Sequence, residues 1–184
     1  MPTRIEEWEQ RYRTGEQVFK APAPLVVQFT HDLAPGSALD LACGPGRNAL
    51  YLADRGWNVT AIDGSSTAIA LLRAGNPSID ARVADLDTDE FEPSTDAFDL
   101  VLSCYYLQRS LIPGMKSALR AGGLLIMIVH LADADLPRGT AARAYPGELR
   151  TFFEDWRILH YREGAPEESC NRHGVAELVA QKPV

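Results

Sequence analysis

Short apolar runs and helix-spaced stretches take turns along this chain, and that alternation narrows the fold more than composition does. Runs at 38–43, 58–62, 81–84, 98–103 and 124–129 have the length and aliphatic content of buried strands. Between them, 48–55, 66–73 and 115–120 have helical spacing. Ile69 and Leu72 stand three apart, Ser65 and Ser66 are N-cap candidates, and Gly122-Gly123 reads as a stop. Strand–helix–strand units need crossovers, so their strands pair in parallel. The tail departs from this pattern. Residues 148–155 read as helix, then 156–162 and 174–181 as two strands separated by a turn-rich segment, 163–172. With no helix between them, those two pair antiparallel. The expectation is an α/β fold: a doubly wound, mostly parallel seven-stranded sheet with an antiparallel final strand. One domain spans 1–184, with flexible stretches at 76–78, 87–96 and 133–144.

The most informative segment joins the first strand to the first helix after it. Asp40 sits inside the strand end, and Gly44 and Gly46 let the backbone turn tightly and approach a ligand. A pyrophosphate at the helix start would be opposed by Asp40, whereas an ammonium or sulfonium group would be favoured. Asp63 ends the second strand, nineteen residues after Gly44, where a carboxylate accepts from both hydroxyls of an adenosine ribose. Asp85 ends the third strand, within reach of an adenine amino group. One acid at a strand tip is ordinarily a turn former. Three acids on successive tips, at the sheet edge where doubly wound folds bind ligands, are better explained by a ligand.

Charge and cysteine usage exclude other classes. Eighteen basic against 25 acidic residues give a net charge of −7, unsuited to neutralising nucleic-acid phosphates or seeking an anionic membrane. Cys43, Cys104 and Cys170 are odd in number and far apart, which fits reduced thiols and neither a disulfide framework nor a zinc ribbon. The apolar run 121–129 is too short to span a bilayer, and residues 1–13 mix Arg4, Glu6, Glu7 and Glu9 with Trp8 and Tyr12, unlike a signal peptide. The expectation is a cytoplasmic protein with no metal site.

The segment DLACGPGRNALYLADRGWNVTAID (40–63) resembles the glycine loop, Arg-Asn helix start and acidic ribose ligand of class I S-adenosylmethionine-dependent methyltransferases. Within that class it is most similar to the tellurite-resistance TehB-type group. VADLD (83–87) resembles the group's adenine-contacting turn, FDLVLSCYYLQ (98–108) its fourth strand and following loop, and LRAGGLLIMIV (119–129) its fifth strand. GELRTFFEDWRILHYREG (147–164) and RHGVAELVAQKP (172–183) resemble its late helix and last strands. Ala42 stands where the family loop has its first glycine, and Ala121 where the family has proline before the fifth strand. The resemblance implies a Rossmann-like methyltransferase fold with S-adenosyl-L-methionine as cofactor. It assigns Asp40, Gly44 and Gly46 to the methionine end, Asp63 to the ribose, and Asp85 with Leu86 to the adenine. Ser103 and Tyr105 fall beside the sulfonium.

On this reading residues 1–30 form a helical lid, with Tyr12 near the cofactor carboxylate and Phe19 on the substrate side. For Trp8 and Tyr12, spaced i, i+4, packing onto the sheet is the competing account. No catalytic residue is assigned. The candidates are Tyr105, Arg109 as a guanidinium for an anionic substrate, and His130, whose position at a strand end equally suits a structural role. Ser103-Cys104-Tyr105-Tyr106 replaces the Asn/Asp-Pro-Pro-Tyr/Phe of amino-group methylation, and no Pro-Cys supports attack on cytosine. The acceptor expected is therefore a small molecule, such as a thiol or a metalloid oxyanion like tellurite or selenite, with neither nucleic acid nor membrane as partner. The protein is expected to be a monomer or weak homodimer. A cofactor-binding protein without turnover remains an alternative. A nicotinamide-dependent dehydrogenase is disfavoured by Asp40, and by Asn48 where a third glycine would stand.

Overall fold

The computed structural model describes residues 3–15, 20–88, 91–132, 142–167 and 174–184. Phe19, Cys170 and most of 133–144 lie outside the described residues. The strands are β1 (Ser37–Leu41), β2 (Asn58–Asp63), β3 (Asp80–Val83), β4 (Phe98–Cys104), β5 (Leu119–His130), β6 (Arg157–Gly164) and β7 (Val175–Gln181). They form a seven-stranded sheet in the order β3-β2-β1-β4-β5-β7-β6. The β1–β2, β2–β3 and β4–β5 pairs are parallel, and β7 runs antiparallel to both β5 and β6. The chain divides into two compact units, 1–92 and 93–184.

The first unit holds β1–β3 with α1 (Arg4–Thr14), α2 (Pro24–Thr30), α3 (Arg47–Ala53) and α4 (Ser66–Gly75). Leu39, Leu41, Leu52, Ile62, Ile69 and Leu72 are wholly buried, as the strand and helix periodicities require. The two helices of the expected lid differ. Leu25, Val26 and Thr30 of α2 are buried, and the Ala23 amide at its start donates to the buried Asn48 side chain at 2.9 Å. No residue of α1 is buried. Its ends are locally determined: Thr3 and Glu6 form a capping box, and Gly15 closes the helix in the left-handed conformation (φ 73°).

The second unit holds β4–β7 with α5 (Ile112–Ala118) and α6 (Glu148–Thr151). Its element boundaries depart from expectation. The helix placed at 115–120 starts three residues earlier, because Pro113 is accommodated in a first turn. Gly122-Gly123 does not end it: β5 begins at Leu119 and carries both glycines. Gly122 sits at φ 76°, and a Cβ on Gly123 would lie 2.9 Å from the Arg120 carbonyl oxygen. The late helix is a single turn rather than 148–155.

Candidate cofactor site

Between β1 and α3 the backbone turns through three left-handed residues, Ala42 (φ 54°), Gly44 (φ 55°) and Gly46 (φ 91°). The Gly46 amide donates to the Cys43 carbonyl at 3.0 Å, and the Cys43 amide to the Ile62 carbonyl of β2 at 3.0 Å. Gly46 is also the N-cap of α3. Only glycine fits there, since a Cβ would lie 2.2 Å from the Leu72 methyl.

Asp40 and Asp63 flank this turn. Asp40 is 1% exposed. The Ala49 amide at the start of α3 donates to its carboxylate, yet Oδ2 has no hydrogen-bond partner among the described residues. Burial, reinforced by Asp63, pushes its carboxyl up to about 7, against the opposing effects of Arg47 and the Ala49 amide. A buried oxygen without a donor carries a desolvation cost of ~1–3 kcal/mol. In Asp63 both oxygens are used: Oδ2 accepts the Gly44 amide and Oδ1 the Ser65 amide, each at 2.8 Å. The second strand tip thereby ties down the glycine turn of the first. Burial raises the Asp63 carboxyl, and those two amides partly offset it. Each carboxylate oxygen retains acceptor capacity beyond one amide. The buried Cys43 thiol is pushed well up by desolvation and by both carboxylates, which keeps it protonated and unreactive.

The third tip is looser. β3 ends at Val83, which leaves Asp85 on the turn that follows, half-exposed and accepting the Asp87 amide at 2.8 Å; Leu86 beside it is buried.

Helix α1 reaches the chain just beyond all three strands. Tyr12 stands over the glycine turn, where a Cβ on Gly44 would lie 2.9 Å from its hydroxyl. Burial raises the Tyr12 phenol, which stays neutral. Ile5 covers Gly64, after β2. Arg4 forms an ion pair with Asp87, after β3. Glu9 accepts from the Ser65 hydroxyl at 2.5 Å, the Thr67 hydroxyl at 2.5 Å, the Thr67 amide at 3.2 Å and the Ser66 hydroxyl at 3.3 Å. Those hydroxyls hold its carboxyl down at about 2. Of the residues the sequence singled out, Tyr12, Asp40, Gly44, Gly46 and Asp63 lie together around the glycine turn; Glu9, which joins them, was not among them. The signal lay in three consecutive hydroxyl residues at a helix start, a set of donors awaiting an acceptor.

The second unit holds the remaining candidates. Ser103 is wholly buried, and its hydroxyl donates to the Tyr106 carbonyl at 3.1 Å. Tyr105 is left-handed (φ 64°), its amide bonds the Ile128 carbonyl at 2.5 Å, and its ring lies 5.2 Å from that of His130. A non-glycine residue held at positive φ stores backbone strain of the kind that collects at functional positions. Arg109 is differently placed from the expected anion contact. Its Nε and Nη2 donate to the two Glu148 oxygens at 2.7 and 2.8 Å, and Nη2 also to the Arg143 carbonyl at 3.0 Å. This bidentate pairing spends the fork geometry on fastening α6. Among the described residues no group of three or more His, Cys, Asp or Glu side chains is arranged to hold a metal.

The parallel sheet closed by an antiparallel β7 defines the Rossmann-like fold of S-adenosylmethionine-dependent methyltransferases. The family model for the tellurite resistance protein TehB matches residues 12–172, and the chain belongs to that family. A protein of Haemophilus influenzae named probable S-adenosyl-L-methionine-dependent methyltransferase TehB is 29% identical over 152 residues, 77% of this chain. The chain spans about half the length of that relative (53%). The crystal structure of TehB from Haemophilus influenzae superposes with a TM-score of 0.75 at 25% identity, covering 95% of this chain and 67% of that one. A Burkholderia thailandensis 1,6-didemethyltoxoflavin-N1-methyltransferase, solved with S-adenosylhomocysteine, shares the fold at a TM-score of 0.70 and 18% identity, covering 97% of this chain and 86% of that one.

Proposed function

We propose that this chain is a methyltransferase that uses S-adenosyl-L-methionine to methylate a compact small-molecule nucleophile, a thiol or a metalloid oxyanion such as tellurite or selenite. The observation that carries the proposal is the orphaned Oδ2 of buried Asp40, beside a turn in which a Cβ at Gly44 or Gly46 would meet its neighbours at under 3 Å. A buried acceptor of this kind suits a cationic donor, which the ammonium of S-adenosylmethionine supplies, and is a poor neighbour for a pyrophosphate. The cofactor, when bound, contributes an electrophilic methyl carbon on a sulfonium leaving group.

The protein's part is orientation and exclusion of water. Asp40 and the Gly44–Gly46 backbone hold the methionine end, and Asp63 accepts from the ribose hydroxyls while keeping the turn in place. Asp85 accepts from the adenine amino group with Leu86 against the ring, and Tyr12 covers the carboxylate from α1. Ser103 and Tyr105 are included on the family likeness. An aligned, desolvated nucleophile needs no covalent help from the enzyme, since effective molarities of ~10⁵–10⁸ M come from alignment alone. A thiolate or metalloid oxyanion also needs no strong general base, and the Arg109 guanidinium is committed to Glu148. Tyr105 and His130 remain the candidates for contact with the acceptor.

The net charge of −7 supports a free small molecule over a polyanion as acceptor. No helix among the described residues is long and apolar enough to cross a membrane, and a cytoplasmic monomer or weak homodimer is part of the proposal. The test is incubation with methyl-labelled S-adenosylmethionine and a panel of thiols, selenite, tellurite and phenols, following S-adenosylhomocysteine release. Label transfer to thiols or oxyanions is expected. Transfer to phenols alone would replace the acceptor class, and tight cofactor binding with no transfer to any of them would make this a binding protein.

A further inference from the structure

No residue of helix α1 is fully buried: Ile5 packs over Gly64 and Tyr12 over Gly44, and the rest of its fastening is polar, most of it through one side chain. The Glu9 carboxylate accepts from three hydroxyls and one amide of the Ser65-Ser66-Thr67 turn. Ser65 meanwhile caps α4 in the ordinary way, its Oγ accepting the Ala68 amide at 3.0 Å. Glu9 thus adds a second, tertiary cap to the same helix start, where the partial positive charge favours an anion.

The contacts close into a ring. Glu9 holds Ser65; the Ser65 amide holds Asp63 Oδ1; Asp63 Oδ2 holds the Gly44 amide; and the open face of Gly44 meets Tyr12, one helical turn on from Glu9 on α1. The helix that covers the glycine turn and the carboxylate that anchors it are therefore fixed through one serine. We propose that Glu9 is a positioning residue: it latches α1 so that Tyr12 is held over the glycine turn, and in doing so sets how long the cofactor stays bound. This rests on the reading of residues 40–63 as the S-adenosylmethionine site.

If cofactor affinity scales with the fraction of molecules whose α1 is latched, losing the latch weakens binding through faster release, with little change in association. Glu9→Ala is expected to raise the dissociation rate of S-adenosylhomocysteine about tenfold, the scale of one charge-assisted hydrogen-bond set. Its association rate should stay within about twofold. Glu9→Gln keeps an acceptor for the Ser65 and Thr67 hydroxyls and should recover most of the loss. Tyr12→Phe should weaken binding too, and adding Glu9→Ala to it should cost less than Glu9→Ala alone, because both act through the same contact.

Trp8 provides a direct reading of the latch. It stacks on Tyr12 with ring centroids 5.6 Å apart and is 36% exposed, whereas Trp57 and Trp156 are buried. Collisional quenching by acrylamide therefore reports mainly on α1, and it should increase in Glu9→Ala. The experiment is stopped-flow binding of S-adenosylhomocysteine to wild type and the four variants, with quenching measured on each. Faster release, rescue by Gln and looser Trp8 together support the latch. Wild-type binding with an unchanged dissociation rate in Glu9→Ala overturns this inference alone. So does a loss that Gln fails to rescue, or one that adds fully to Tyr12→Phe. Absence of binding to wild type overturns the cofactor reading and this inference with it, whatever the quenching shows.

Discussion

Asp40 combines a buried position, a donated amide and one oxygen that nothing in the described protein satisfies. Its cost to the ligand-free protein has a definite pH signature. The folded-state carboxyl is raised from an ordinary 3.8 to about 7, so the folded protein holds a proton the unfolded chain releases. The stability linked to that proton is fully present below pH 4 and is lost as pH rises toward 7, by at most ~1.4 kcal/mol per pH unit. Asp63, also raised, acts with the same sign. Glu9 acts oppositely: its contribution is present above pH 4.5 and is lost as pH falls toward 2. Thermal melts of the ligand-free protein from pH 5 to 8 should therefore show a decline that Asp40→Asn flattens. At pH 8 that variant should melt a few degrees higher, at ~2–4 °C per kcal/mol, while binding S-adenosylhomocysteine more weakly. An Asp40→Asn protein with the wild-type slope would show that the residue is ionised throughout and accommodated by contacts of another kind.

At the scale of elements, what was legible in the sequence followed from local chemistry. β1, β2 and β4 could be read because a buried parallel strand must be a short aliphatic run, and the glycine turn because its residues adopt backbone angles that side chains resist. The start of β5 was not, because Gly122-Gly123 has the composition of a helix stop while pairing across to β4 decides its use. Arg109 read as an anion contact because Glu148, its partner, is 39 residues away. Glu9 escaped for the same reason, being 56 residues from Ser65. Ala42 departs from the family pattern at a position whose backbone favours glycine. It takes φ 54°, a conformation that costs a residue with a Cβ roughly 1–2 kcal/mol, less the entropy glycine would lose on folding. Ala42→Gly should accordingly stabilise the protein by about 0.5–1 kcal/mol in urea melts, with an unchanged m-value. A destabilised variant would show that the alanine methyl packs usefully enough to outweigh the strain.

Over the whole molecule, charge and site act in one direction. A protein of net charge −7 whose first and second strand tips present buried carboxylates favours a ligand with cationic groups over one built on a pyrophosphate. That sign is the physical content of the cofactor assignment, and it separates this chain from dinucleotide-binding proteins built on related sheets. The measurement that tests it most directly is calorimetric titration of wild type and Asp63→Asn with S-adenosylmethionine, S-adenosylhomocysteine and NADH. The first two should bind wild type and NADH should not, and Asp63→Asn should weaken both by ~1.5–3 kcal/mol, the scale of a charge-assisted hydrogen bond. Saturable NADH binding, or unchanged S-adenosylhomocysteine affinity in Asp63→Asn, would contradict it.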